Sequence, residues 1–147
     1  MDLFDYPNRA KWLERRDWID KELEKAETGF SYLLSDHSTA LFMDMQISYC
    51  SGAWISVVIM SVSVIDAHLR ETEAMDTSIG TAKLLKELYE GEGIDWLRQL
   101  RNKYVHVNID KPILEMNDWF NNQKQLEKDA TKAMKMTISA LFQNPGT

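Results

Sequence analysis

From Met45 to Ile65 the chain reads MQISYCSGAWISVVIMSVSVI, with no charged side chain anywhere in the run. A stretch of that length must be shielded from water. It either crosses a bilayer or runs through a protein interior with neighbours on several sides. Gln46, Ser48, Ser51, Ser56, Ser61 and Ser63 dilute its apolar character, and Asp66, His68 and Arg70 follow immediately. That pattern favours a central buried helix and no membrane partner. The spacing predicts one long helix from about Ala40 to Glu73, roughly 50 Å at 1.5 Å per residue. Its small residues Ser51, Gly52, Ala53 and Ser56 would let a neighbouring helix approach closely.

The remaining segments supply the neighbours. Asn8 is a good N-cap, and Trp12, Ile19, Leu23, Ala26, Phe30 and Leu33 then recur at helical spacing. Arg15, Arg16, Glu22 and Lys25 cover the other side, and Asp17 and Lys21 stand four apart in the favourable order. SDHST interrupts this helix, with Asp36, Ser38 and Thr39 as candidate caps. MDTSIG reads as a loop, TAKLLKELYE as a short helix with Leu84, Leu85, Leu88 and Tyr89 inward, and GEG as its stop. A helix opens near Ile94 and ends at NIDKP, because Pro112 disfavours helix at Lys111. The last runs from about Asn121 to Phe142. Six Gly and three Pro among 147 residues are few, and β-branched residues rarely alternate with polar ones. The expectation is an all-α, up-and-down bundle of four to six helices, forming one domain over residues 1–147.

Charge and chemistry narrow the function. The net charge is −6, so bulk electrostatics would not hold a polyanion, and any such contact needs a local patch. Cys50 is the single cysteine, in an apolar stretch; it reads as a buried small hydrophobe in a reducing compartment, most simply the cytoplasm. MDLFDYPNRAKW lacks the basic-then-apolar layout of a secretion signal. His68 with Glu71 or Glu73 could pair on a metal, but nothing else has ligand spacing, so neither metal nor cofactor is expected. His37 reads as a loop or cap residue. The five tryptophans read as core or interface anchors.

Against this acidic background, LRQLRNKYVHVN (97–108) holds three cations and a histidine but no carboxylate. On a helical wheel Leu97, Leu100, Tyr104 and Val107 form a stripe toward the core. Arg98, Asn102 and His106, each four apart, stack along another face, where Asn102 could bond or orient His106. Arg101 lies beside that row, and its side chain is long enough for guanidinium and imidazole to share one small anion. One reading is a capping pair, since a helix C-terminus favours cations. The other is chemical. Arginine forks onto phosphate oxygens and histidine moves protons near neutrality. Together they suit RNA cleavage by attack of the 2′-OH on the adjacent phosphorus. An acid for the leaving group is also needed, and a symmetric dimer would supply one. At the end of the long predicted helix, Asp66 and Arg70 stand four apart; the cluster there is either a solvated helix end with a salt pair, or Asp66 or Glu73 reaches the motif and orients Arg101.

Arg101-Asn102-Lys103-Tyr104-Val105-His106 resembles the R-x4-6-H motif of HEPN domains, with Asn after the Arg and Val before the His also typical. The resemblance covers about eight residues in specific sequence, and most of the chain in layout. It implies a homodimer with two motifs in one cleft and metal-independent endoribonuclease activity on RNA. It also implies a role as a toxin or in phage defence, with an antitoxin or other regulatory protein as partner. On it Arg101 and His106 are the catalytic pair. Asn102, Arg98, Lys103 and Asp66 are supporting or RNA-binding residues. Asn108 stands where one toxin branch has a tyrosine that its antitoxin modifies, so that mechanism is not implied. Other HEPN domains bind nucleotides or proteins without cleaving RNA, which leaves a binding module or a purely structural dimer as alternatives.

Overall fold

The computed structural model describes residues 7–27 and 34–143. Within them the chain forms seven helices and no strand: α1 (Arg9–Ala26), α2 (Asp36–Ser51), α3 (Trp54–Thr72), α4 (Thr81–Leu88), α5 (Ile94–Val105), α6 (Met116–Asn121) and α7 (Gln123–Phe142). The all-helical bundle agrees with the sequence reading. The count exceeds the expected four to six because one predicted helix is two, and because the six-residue α6 precedes α7.

The division falls inside the uncharged run. Gly52 takes φ +83°, a left-handed conformation that costs a glycine little and other residues more. Its N–H bonds the Tyr49 carbonyl at 3.1 Å, and the Ala53 N–H reaches back to the Ser48 carbonyl at 2.9 Å. These paired bonds satisfy carbonyls that the end of α2 would otherwise leave open. Trp54 then starts α3, and α2 and α3 pack against each other. The small residues thus make a turn and not a crossing surface along one long helix. No helix among the described residues is long and apolar enough to cross a membrane.

α3 is the central element, packed on α2, α4, α5 and α7. Val57, Val58, Val62, Val64, Ile65 and Leu69 bury a wide face, and Ala130, Ala133, Met134, Ala140 and Leu141 of α7 meet the same core. Alanines let two helix backbones come close, while each buried Val, Ile, Leu or Met side chain contributes about 1.5–3 kcal/mol of transfer free energy. Ser61 and Thr137, also buried, return their hydroxyls to the Val58 and Ala133 carbonyls of their own helices, so neither leaves an orphan donor.

α1 starts where the sequence indicates, with Asn8 Oδ1 accepting the Lys11 N–H at 2.9 Å. Ile19 is buried, and Trp12, Leu23 and Ala26 lie against the core; Phe30 and Leu33 fall outside the described residues. The Asp17–Lys21 pair forms at 2.8 Å. Arg15 departs from its expected solvent-facing role. It donates to the Cys50 carbonyl at 3.0 Å and lies 4.8 Å from the Trp54 ring centre, clamping the α2–α3 turn. Burial pushes the Cys50 thiol up, with Arg15 partly opposing, in keeping with a packed and unreactive side chain. The cap of α2 is Ser35, whose Oγ accepts the Ser38 N–H; Asp36, Ser38 and Thr39 lie inside the first turn.

Candidate functional site

α5 carries the motif, and its seat is set by its apolar residues. Gly93, at φ +88°, turns the chain into the helix. Leu97 is fully buried where α5 packs on α3, and Leu100 and Tyr104 lean on the same core. Burial pushes the Tyr104 phenol up to about 12, with Asp129 adding to the shift, so it stays protonated. Val107 departs from the expected stripe and is 83 % exposed. The reason is the helix end. α5 stops at Val105, and His106 is already extended at φ −117°, ψ 114°. Asn108 then organises a turn, accepting the Asp110 N–H on its side chain and the Lys111 N–H on its carbonyl.

That early stop breaks the predicted row of Arg98, Asn102 and His106. Arg98 and Asn102 sit half-buried on the helix, Lys103 is exposed on it, and His106 is exposed beyond it. Asn102 does not orient the histidine. Its Oδ1 accepts from Arg101 Nη1 at 3.0 Å. The His106 main-chain N–H closes the last turn on the Asn102 carbonyl, while its imidazole has no hydrogen-bond partner among the described residues.

Arg101 points elsewhere. It lines an open cavity of about 300 Å³, together with His37 of α2, Val62, Ser63 and Asp66 of α3, and Thr81 of α4. Its Nε is buried and has no hydrogen-bond partner among the described residues. The expected neighbour Asp66 does share this cavity, but its carboxylate is taken by Arg70, Oδ1 to Nε at 3.1 Å and Oδ2 to Nη2 at 2.8 Å. That bond raises the Arg70 guanidinium further above its ordinary range. Arg70 also donates to the Thr77 and Ile79 carbonyls, tying the loop before α4 to the end of α3. No ion pair joins Asp66 to Arg101 among the described residues, and Glu73 accepts from Gln143 Nε2 at 2.7 Å. Of the two expected roles, Asp66 takes the salt pair with Arg70, and it lines the Arg101 cavity without bonding Arg101.

His37, expected as a loop or cap residue, also belongs to this place. It sits in the first turn of α2, exposed, on the wall of the Arg101 cavity. No local pattern could have joined it to Arg101, because the two meet only when α2 and α5 pack beside α3. His68 is the opposite case. It is buried, its imidazole pushed down by desolvation, and no three His, Cys, Asp or Glu side chains gather for a metal among the described residues.

No family model matches the chain, and no curated protein and no solved structure is significantly similar to it.

Proposed function

We propose that the chain is a metal-independent endoribonuclease of the HEPN kind, working as a homodimer with Arg101 and His106 as its catalytic pair. The supporting observation is the state of Arg101. A guanidinium kept for structure alone would spend its donors on carbonyls or a carboxylate, as Arg15 and Arg70 do. Arg101 bonds only the neighbouring Asn102 side chain among the described residues, keeps a buried Nε without a partner, and lines an open cavity. An unspent guanidinium in a concavity suits a phosphate, whose oxygens accept two parallel N–H bonds.

In this reading His106 takes the 2′-OH proton, the 2′ oxygen attacks phosphorus, and Arg101 stabilises the charge that develops. The departing 5′ oxygen needs a proton from a second group. Within one chain His106 is not on the wall of the Arg101 cavity, so the second copy brings its own histidine. Surface composition favours such a contact. Among the described residues, seven of the eleven exposed large hydrophobics lie in Val105–Phe120, the segment that carries His106. Concentrated exposed apolar surface marks interaction sites. A toxin or defence role, with a regulatory partner, is the biological setting this chemistry would serve.

The test is cleavage of single-stranded RNA in EDTA, with a 2′,3′-cyclic phosphate as product. His106→Ala and Arg101→Ala should each lower the rate about 100-fold or more, with helical circular dichroism unchanged. Cleavage that persists in both variants would refute the assignment. The position of His106 off the cavity favours a second reading, a nucleotide- or protein-binding module. That reading expects no cleavage and a saturable ligand lost on Arg101→Ala.

A further inference from the structure

One cavity holds two opposite charges that do not pair. Arg101 of α5 and Asp66 of α3 both line it, and no ion pair joins them among the described residues. A half-buried guanidinium whose Nε lacks an acceptor would ordinarily close on a carboxylate in the same cavity, because a buried donor left unmade is costly. Asp66 is the one acidic side chain on that wall among the described residues. What keeps it from Arg101 stands one turn further along α3. Arg70 forks onto both carboxylate oxygens, Nε to Oδ1 at 3.1 Å and Nη2 to Oδ2 at 2.8 Å. Its remaining nitrogen, Nη1, donates to the Thr77 and Ile79 carbonyls of the loop before α4. Every nitrogen of Arg70 is therefore engaged, and its pose is fixed from two sides. The pair is also shielded: the Arg70 and Asp66 side chains are 25 % and 18 % exposed, against 66 % and 62 % for Lys21 and Asp17 on the surface of α1. Reduced contact with water strengthens the attraction between such charges.

We propose that Arg70 is a positioning residue for Arg101: by holding Asp66 on both oxygens it keeps the motif guanidinium open, and release of Asp66 closes that guanidinium in an Asp66–Arg101 ion pair. The same three side chains thus build two states. In the open state Asp66 pairs with Arg70. In the closed state it pairs with Arg101, whose buried Nε gains an acceptor. The Thr77 and Ile79 carbonyls bias the choice, because each bond they accept holds Arg70 in the pose that forks Asp66. A shift of that loop would loosen the fork and favour the closed state. For its consequence the proposal rests on the reading of Arg101 as catalytic, since it describes how that site is regulated. The exchange of partners itself needs neither RNA nor His106.

The test reads Arg101 directly and without RNA. Methylglyoxal adds to guanidinium nitrogens, and peptide mass spectrometry gives its labelling rate at each arginine. Arg101 should label in the wild type. Arg70→Met frees Asp66, and Arg101 should then label about 10-fold more slowly, the effect of one charge-assisted hydrogen bond. Adding Asp66→Ala to Arg70→Met should restore the wild-type rate, and Asp66→Ala alone should not slow it. A merely structural Arg70 expects the opposite: a loosened loop beside the cavity speeds labelling, and the second substitution restores nothing. Arg15, clamped on the α2–α3 turn, labels slowly while the fold holds. Arg70→Gln replaces the methionine variant if Arg15 speeds up there. The inference is overturned if wild-type Arg101 does not label, if it labels at the wild-type rate or faster once Arg70 is replaced, or if it stays slow in the double variant. RNA cleavage should fall with the labelling in Arg70→Met. Absence of cleavage by the wild type, or cleavage that persists while Arg101 is closed, would sink the nuclease and leave the partner exchange standing on the labelling rates.

Discussion

Gly52→Ala should destabilise the protein by about 2–3 kcal/mol. The first contribution is conformational: at φ +83° an alanine meets a penalty of about 1–2 kcal/mol. The second comes from crowding. A Cβ built on Gly52 lies 3.2 Å from Arg15 Nη1, so the guanidinium must shift. The shift weakens its 3.0 Å bond to the Cys50 carbonyl, and a bond of this charge-assisted kind contributes about 1.5–3 kcal/mol when fully made. Part of that is lost, since Arg15 is only half-buried and retains water. For a chain of this size the total corresponds to a fall in Tm of about 5–10 °C. Urea unfolding followed by tryptophan fluorescence measures it, because Trp54 adjoins the turn. The experiment turns on sign. If residues 40–73 were one continuous helix, Gly52 would lie in its interior, and alanine there would stabilise by about 1 kcal/mol. A midpoint equal to or above that of the wild type would therefore refute the α2–α3 turn. Gly52→Asn should fall between glycine and alanine, since asparagine tolerates the left-handed region better.

His68 is buried and binds its proton less readily in the folded state than its ordinary 6.5, so stability is complete above that value and declines as pH falls below it. The decline should reach up to about 1.4 kcal/mol per pH unit, and His68→Gln should flatten the difference in urea stability between pH 7.5 and 5.5; an unchanged difference would contradict the assignment. Leu97→Ala removes a fully buried side chain that seats α5 on α3, and should cost about 2–5 kcal/mol by chemical denaturation, whereas a loss below 1 kcal/mol would mean that α5 is anchored otherwise.

Local signals carried much of the architecture. Asn8 announces α1 through a side-chain cap, Gly93 and Pro112 bracket the α5 region, and the apolar periodicity of α7 shows in its buried Leu126, Ala130, Ala133 and Met134. Signals failed where two conformations fit one composition. Gly52 is compatible with a helix interior and with a helix end, and the packing of α2 against α3 selects the second. Val107 and His106 continue the helical spacing on paper, yet the chain leaves the helix at Val105, so neither occupies the face that the wheel assigns. Arg15 carries a charge that composition assigns to solvent, but a free helix-end carbonyl lies within its reach.

The sequence by itself determined that this chain is a helical bundle, that an uncharged stretch lies at its centre, and that residues 97–108 concentrate cations in an acidic protein. Periodicity, caps and charge are properties of neighbours along the chain, so they can be read from order alone. Only the tertiary structure decided that the central stretch doubles back at Gly52, that Asp66 spends its carboxylate on Arg70, and that Arg101 shares a cavity with His37 and Thr81. Those relations join residues that are distant in the chain or compete for one partner. They are set when α2, α4 and α5 pack around α3, and by the geometry of each hydrogen bond once they have.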